Sequence, residues 1–264
     1  MEKILSKQVL RFLQANKLLD PFQSGFLKSR STQTALTKLT DDIRSNIDNY
    51  LSTILLLFDF SKAFDRVSHR ILLNKLFSFG FSNSVLHWFM SYLTNRKQSV
   101  LGKNRETSSW KDINSGVPQG SIFASILFLI YIDDIRFNIK YSKWLVYADD
   151  LQIYMKTTIE DVSDDISKLE CDISCVTSWA NNNLLLLNQD KTQAIAFGNR
   201  DDLEILYNNN NLIKINDKII TLQHSVNNLG VIFNSSLSWT DHIKRIEKKL
   251  ILLFINFDTS VTYG

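Results

Sequence analysis

The strongest constraint on this chain is a pair of adjacent acids between two apolar runs, Trp144-Leu145-Val146-Tyr147-Ala148-Asp149-Asp150-Leu151-Gln152-Ile153-Tyr154-Met155. Ionised carboxylates in so apolar a setting are costly unless a cation lies against them. A β-hairpin whose tip offers Asp149 and Asp150 to a divalent metal removes that cost. A second run that reads as a buried strand, Thr53-Ile54-Leu55-Leu56-Leu57-Phe58, leads directly into Asp59 and supplies a third carboxylate. Three acids at strand ends make a hard-oxygen site of the kind Mg²⁺ accepts while keeping waters and substrate phosphates as its other ligands. The pattern points to phosphoryl transfer.

A near copy of the acid pair, Tyr131-Ile132-Asp133-Asp134-Ile135, follows a turn and an apolar run without strict alternation. It is expected at an exposed helix end, so the later pair is taken as the site. Other classes fail on residues. A dehalogenase-type phosphatase needs Asp-x-Asp after the strand, but position 61 is Ser. No G-x-x-x-x-G-K-[ST] loop is present to cradle a nucleotide. Cys171 and Cys175 have no second pair, and His69, His87, His224 and His242 are scattered without ligand spacing, which argues against zinc.

With 264 residues, 44% of them hydrophobic and 22% charged, the chain suits one large globular domain or a domain with a small appendix. A net charge of +3 permits a nucleic-acid partner. Local clustering says more: Arg96, Lys97, Lys103, Arg105 and Lys111 face Glu106 alone between positions 94 and 111, and Lys244, Arg245, Lys248 and Lys249 face only Glu247. Two unpaired thiols and no visible signal peptide imply an intracellular protein of nucleus and cytoplasm, not secreted. The longest apolar stretch, Ile122 to Ile132, is too short to span a bilayer, so no membrane partner is expected.

Apolar periodicity predicts helices through about Ile47, with a break at Asp20–Phe26 and a new start near Ser31. Ser68 and Ser82 are candidate helix caps, and Gly80 a helix stop. Residues 94–114 read as a hairpin and 115–121 as a turn into an apolar helix. Further on come a helix around 160–182 and strands near 193–198, 212–220 and 229–233. A closing amphipathic helix is expected to turn Ile243, Ile246, Leu250 and Leu253 inward. Helices and strands mix without a βαβ period, so the class is α+β.

Four motifs stand in a telling order: Phe58-Asp59-Phe60-Ser61-Lys62-Ala63-Phe64-Asp65, Gly116-Val117-Pro118-Gln119-Gly120-Ser121, Tyr147-Ala148-Asp149-Asp150 and Asn188-Gln189-Asp190-Lys191-Thr192. They resemble polymerase motifs A to D of the reverse transcriptase domain of non-LTR, LINE-type, jockey-like retrotransposons. Gln23-Ser24-Gly25-Phe26 with Arg30-Ser31-Thr32 resembles that family's finger segment, and Asn228-Leu229-Gly230-Val231 its primer grip.

The resemblance implies a right-hand polymerase palm with partial fingers over residues 1–235 and the start of a thumb over 236–264. It implies an RNA-directed DNA polymerase that binds an RNA template, a DNA primer and a dNTP. Asp59 and Asp149, with Asp150 beside them, would hold two Mg²⁺ ions, for which Mn²⁺ can substitute. Phe60 would offer its carbonyl to a metal, and Phe64 would act as a steric gate against a ribose 2′-hydroxyl. Gln119 and Gly120 would line the nascent base pair, Lys191 would protonate the leaving pyrophosphate, and Leu229 and Gly230 would grip the primer. The two basic clusters would follow the template–primer duplex.

The chain also departs from the pattern. The family domain begins upstream with finger strands that contact the triphosphate, so an N-terminal truncation is expected. Ala124-Ser125 stands where the family usually has Gly-Pro, a loss expected to loosen the start of that helix. The alternative reading is a truncated, catalytically silent remnant that at most binds nucleic acid.

Overall fold

The computed structural model describes residues 2–118, 120–208 and 213–260, with side chains as far as Leu252. Helical spacing at the start produces α1 (Glu2–Ala15), burying Val9 and Leu13, and α2 (Thr32–Asp48), burying Leu36, Leu39 and Ile43. Ser31 caps α2 reciprocally: its hydroxyl oxygen accepts the Thr34 N–H, and the Thr34 hydroxyl oxygen accepts the Ser31 N–H. Only Asp59 separates β1 (Ser52–Phe58) from β2 (Phe60–Ser61), and a 3₁₀ turn follows over Ala63–Arg66. α3 (His69–Ser78) and α4 (Asn83–Leu93) come next. Ser68 caps the first through the Ile71 N–H, whereas the Ser82 side chain makes no capping bond.

The basic segment forms the expected hairpin, β3 (Arg96–Gln98) with β4 (Lys111–Ile113). α5 (Ile122–Ile132) is buried on nearly every side, which explains its lack of amphipathic period. Its start is held without proline, because the Ser121 hydroxyl oxygen accepts the Phe123 and Ala124 N–H groups and also bonds Tyr92. The acid-tipped hairpin is β5 (Lys143–Tyr147) and β6 (Asp150–Thr157). α6 (Val162–Asn182), β7 (Leu186–Leu187), β8 (Gln193–Phe197) and α7 (Arg200–Asn208) follow. Two hairpins, β9 (Ile213–Ile215) with β10 (Lys218–Ile220) and β11 (Ser225–Asn228) with β12 (Val231–Asn234), lead to α8 (Thr240–Ser260).

The central sheet is antiparallel, in the order β5-β6-β1-β8. Ile54, Leu56 and Phe58 join Leu151, Ile153 and the apolar side chains of α5 and α6 on one face. Leu55 joins Leu145, Tyr154, Ile195 and Phe197 on the other, against α2 and the β11–β12 hairpin. A sheet covered on both faces explains the unbroken apolar run of β1. Each fully buried leucine there contributes about 1.5–3 kcal/mol. Among the described residues, no helix is long and apolar enough to cross a membrane.

Some sequence expectations fail. Asp133 lies at a helix end but is buried, accepting the Asp20 N–H at 2.6 Å and pairing with Arg136 at 3.0 Å. Burial, more than any charge, pushes its carboxyl up to about 6. Asp134 is engaged as well, by Lys75 at 2.6 Å and the Trp179 indole N–H at 2.9 Å. On α8 the residues expected to face inward are exposed: Ile243 at 62%, Ile246 at 44% and Leu250 at 49%. Leu253 lies outside the described side chains. The strand predicted at 229–233 is one arm of a hairpin whose turn is Leu229-Gly230.

Candidate active site

Register brings the three acids together. Phe58 pairs with Leu151, so Asp59 falls on the next rung, across from Asp150. Tyr147 pairs with Asp150, which leaves Ala148 and Asp149 as the two-residue turn. All three carboxylates therefore stand at one end of the sheet. Burial raises the Asp149 carboxyl, and the Asp59 charge adds to the rise. Burial, then Asp149, then Asp59 push Asp150 up to about 6. One side of Asp150 is open to solvent, which screens part of that repulsion.

Ala148 adopts φ +57°, a left-handed conformation that costs an L-residue about 1–2 kcal/mol. The break at Asp20–Phe26 folds over it. Val146 donates its N–H to the Phe22 carbonyl at 3.2 Å and accepts the Ser24 N–H at 2.8 Å, a short parallel bridge onto β5. Gln23, 3% exposed, accepts the Ala148 N–H at 3.1 Å and the Gly25 N–H at 2.7 Å through one side-chain oxygen. Gly25 is required by space: a Cβ there would lie 2.3 Å from the Ala148 nitrogen.

The backbone of Asp59 is also tied down. Asn188 donates its N–H to the Asp59 carbonyl at 2.7 Å, and Phe60 pairs with Leu187 in the following β2–β7 ladder. By the alternation of an antiparallel ladder, the Phe60 carbonyl points away from β7. The Asn188 side-chain oxygen accepts the N–H groups of Asp190 at 3.1 Å and Lys191 at 3.3 Å. Lys191 is thus an exposed amine on a turn fastened to the main chain of Asp59, while neighbouring Asp190 is taken by Lys218.

Phe64, half-buried on the 3₁₀ turn, stacks on Phe128 at 4.3 Å and meets Phe26 edge-on at 6.0 Å. With Phe26, Gly120, Ser121 and Ala124 it lines a cleft of about 720 Å³. The turn that carries Gly120 is pinned to the Phe64 turn: Val117 donates to the Phe64 carbonyl at 3.0 Å and Gly116 to the Val67 carbonyl at 2.8 Å. Gly120 has φ +82° and open space where a Cβ would point, so its backbone can be approached closely. Gln119 lies outside the described residues.

Leu229 (φ +47°) and Gly230 (φ +86°) form the β11–β12 turn. Asn228, just before it, is buried and exchanges two amide hydrogen bonds with Gln152 of β6, at 2.8 and 2.9 Å. That pair fastens the turn to the strand that begins with Asp150. Sequence reasoning assigned no role to Gln152, and named Gln23 and Asn228 only as members of the finger and primer-grip segments. For Gln152 an uncharged amide in a run of apolar strand residues was the available signal, since such a group must find a partner.

The three acids supply carboxylate oxygens at one end of the sheet, and a hard divalent cation would relieve both their burial and their mutual repulsion. The residues therefore fit such an ion. Among the described residues, no three acid, histidine or cysteine side chains already stand as a closed ligand set.

Comparison with known proteins places this geometry in context. The family described as reverse transcriptase (RNA-dependent DNA polymerase) matches residues 1–233. The chain is 24% identical over 255 residues to the RNA-directed DNA polymerase from mobile element jockey of Drosophila melanogaster, and 26% identical over 257 residues to that of Drosophila funebris. It is 22% identical over 256 residues to the probable RNA-directed DNA polymerase from transposon BS of Drosophila melanogaster. Each match covers 94% of this chain, which spans 27% of the relative's length. Among solved structures, telomerase from Candida albicans superposes with a TM-score of 0.55 at 16% identity, over 90% of this chain and 38% of that one. Apo telomerase from Candida tropicalis, truncated of its C-terminal domain, gives 0.55 at 14% identity, over 90% and 44%. The shared fold is the right-hand polymerase fold.

Proposed function

Because the chain belongs to the reverse transcriptase family, we propose that it is the polymerase core of a mobile-element RNA-directed DNA polymerase. It would extend a DNA primer on an RNA template, joining a dNTP to the primer 3′-hydroxyl. The observation that carries this reading is the gathering of Asp59, Asp149 and Asp150 at one end of the central sheet. Residues 1–235 would form the partial fingers and palm, and residues 236–264 the start of the thumb.

Asp59 and Asp149 would hold two Mg²⁺ ions, or Mn²⁺ in their place, with Asp150 as a further ligand or electrostatic support. Bound there, the metals would lower the pKa of the primer hydroxyl and neutralise the triphosphate and leaving pyrophosphate. The Phe60 carbonyl, turned away from β7, is free to face the same space. Phe64 would fill the position of a ribose 2′-hydroxyl and exclude it, while Gly120 lets the base pair approach the main chain; Gln119 would contribute to the same surface. Lys191, on its anchored turn, would give a proton to the pyrophosphate. Leu229 and Gly230 would contact the primer, their position fixed through Asn228 and Gln152. Arg96, Lys97, Lys103, Arg105 and Lys111, with the basic residues of α8, would supply salt-sensitive affinity for the duplex. The protein would act inside the cell, in nucleus and cytoplasm.

Primer extension on an RNA template with Mg²⁺, beside an Asp149→Ala control, tests the reading. Extension lost in the variant supports it, and equal signal from both proteins ends the enzyme assignment.

A further inference from the structure

We propose that Gln23 is a positioning residue for the acid-bearing hairpin tip, a clamp that sets the direction in which Asp149 and Asp150 present their carboxylates. The inference deepens the polymerase reading and rests on it for the purpose of the clamp, though not for its existence.

The argument starts from an unpaired group. In a two-residue hairpin the first turn residue, here Ala148, places its N–H outside the strand ladder. Ala148 is 6% exposed, so water cannot serve that N–H, and leaving it unmet is unfavourable. Gln23 meets it at 3.1 Å with the same oxygen that accepts the Gly25 N–H at 2.7 Å. The two bonds fix the peptide plane between Tyr147 and Ala148, and with it the left-handed turn that aims Asp149. Gly25 lies against the Ala148 nitrogen from the same side. Gln23 is held in its turn: Arg30 donates to the carbonyls of Pro21 and Gln23 at 2.5 and 2.6 Å, and the Asp20 carboxylate accepts the Phe22 N–H and the Trp144 indole N–H, each at 2.8 Å. The strap is thus secured at both ends, and it meets the turn through the Gln23 amide oxygen and the close-packed Gly25.

A neutral amide suits this task. A carboxylate at position 23 would add a fourth negative charge beside three that already oppose one another. Gln23 supplies an acceptor without a charge.

Gln23→Met tests the clamp, because it keeps the volume and removes the acceptor. Hydrogen exchange of the full-length protein is expected to lose at least tenfold protection at Ala148 to Asp150, with β1 and β8 unchanged. Mn²⁺ affinity, read by electron paramagnetic resonance, is expected to fall about tenfold. In primer extension kcat is expected to fall by at least tenfold with KM for dNTP within twofold. Gly25→Ala, which pushes on the same turn while leaving Gln23 in place, is expected to weaken Mn²⁺ binding similarly. Unchanged exchange at the tip in Gln23→Met overturns the proposal, as does loss of protection spread evenly over the sheet. If the unaltered protein extends no primer, the polymerase reading fails, whereas the exchange comparison still decides the clamp.

Discussion

Proton competition at the acid cluster gives the sharpest quantitative expectation. Asp150 carries a carboxyl raised to about 6 from an ordinary 3.8, by burial first and then by Asp149 and Asp59. A divalent cation must displace that proton, so its apparent affinity falls tenfold per pH unit below the carboxyl's pKa and levels off above it. One such proton lowers affinity about tenfold between pH 7 and pH 5. Screening at the exposed side of Asp150 leaves a loss of no less than about threefold, and the raised Asp149 steepens the fall at lower pH. The assay is a Mn²⁺ titration of the nucleic-acid-free protein at half-unit steps from pH 5 to pH 8. Folding without metal runs in the opposite sense. The folded value lies above the unfolded one, so the folded state binds more protons between about 3.8 and 6 and loses stability as pH rises through that window. Asp150→Asn removes this loss, and at pH 7 the metal-free variant is expected to melt higher than the unaltered protein. Affinity that is flat from pH 5 to pH 8, or stability that rises through the window because of Asp150, would refute the coupling.

Three other outcomes follow from the structure. Lys75, whose side chain is 11% exposed, donates to the Tyr131 carbonyl at 2.5 Å and Asp134 at 2.6 Å and lies over the Tyr131 and Trp179 rings. Lys75→Met is expected to cost about 2–3 kcal/mol in urea melts, and a cost under about 1 kcal/mol would show the network to be dispensable. The fully buried Asp172 carboxylate accepts the N–H groups of Lys140, Tyr141 and Ser142 at the approach to β5, so Asp172→Ala is expected to lose about 3 kcal/mol by the same measurement. Phe64→Val is expected to lower the kcat/KM preference for dNTP over rNTP about tenfold or more; an unchanged ratio would leave Phe64 only its packing on Phe128.

What could be read from the sequence was mostly local. Ser68 caps its helix as expected, because the cap and the N–H it serves lie within three residues of each other, whereas Ser82 precedes its helix without a capping bond. The hairpin tip and its partner strand were legible because alternation and apolar runs are intrinsic to strands. One failure came from a partner distant along the chain, and two from local signals passed over. Asp133 looked exposed because its partner, the Asp20 N–H, stands 113 positions earlier. The Leu229-Gly230 turn was mistaken for strand although glycine at its second position was a usable signal. α7 went unnoticed, yet Asn199 accepts the Asp202 N–H at 2.8 Å, and the Asn-Arg-Asp-Asp sequence is a recognisable helix start. The outward stripe of α8 follows a helical period faithfully. Periodicity tells which residues share a side, not whether anything lies against it.

The place of β1 in the sheet has one more consequence. Flanked by β6 and β8, it is laced on both edges, as β6 is between β5 and β1, whereas β5 and β8 are the margins of the sheet. Asp59 and Asp150 therefore stand at the ends of two neighbouring inner rails, neither of which can slide without unzipping two seams, and only Asp149, on the turn to the marginal strand, lies off them. Any change in the gap among the three acids falls to the Ala148-Asp149 turn, with the two inner strands as its fixed datum.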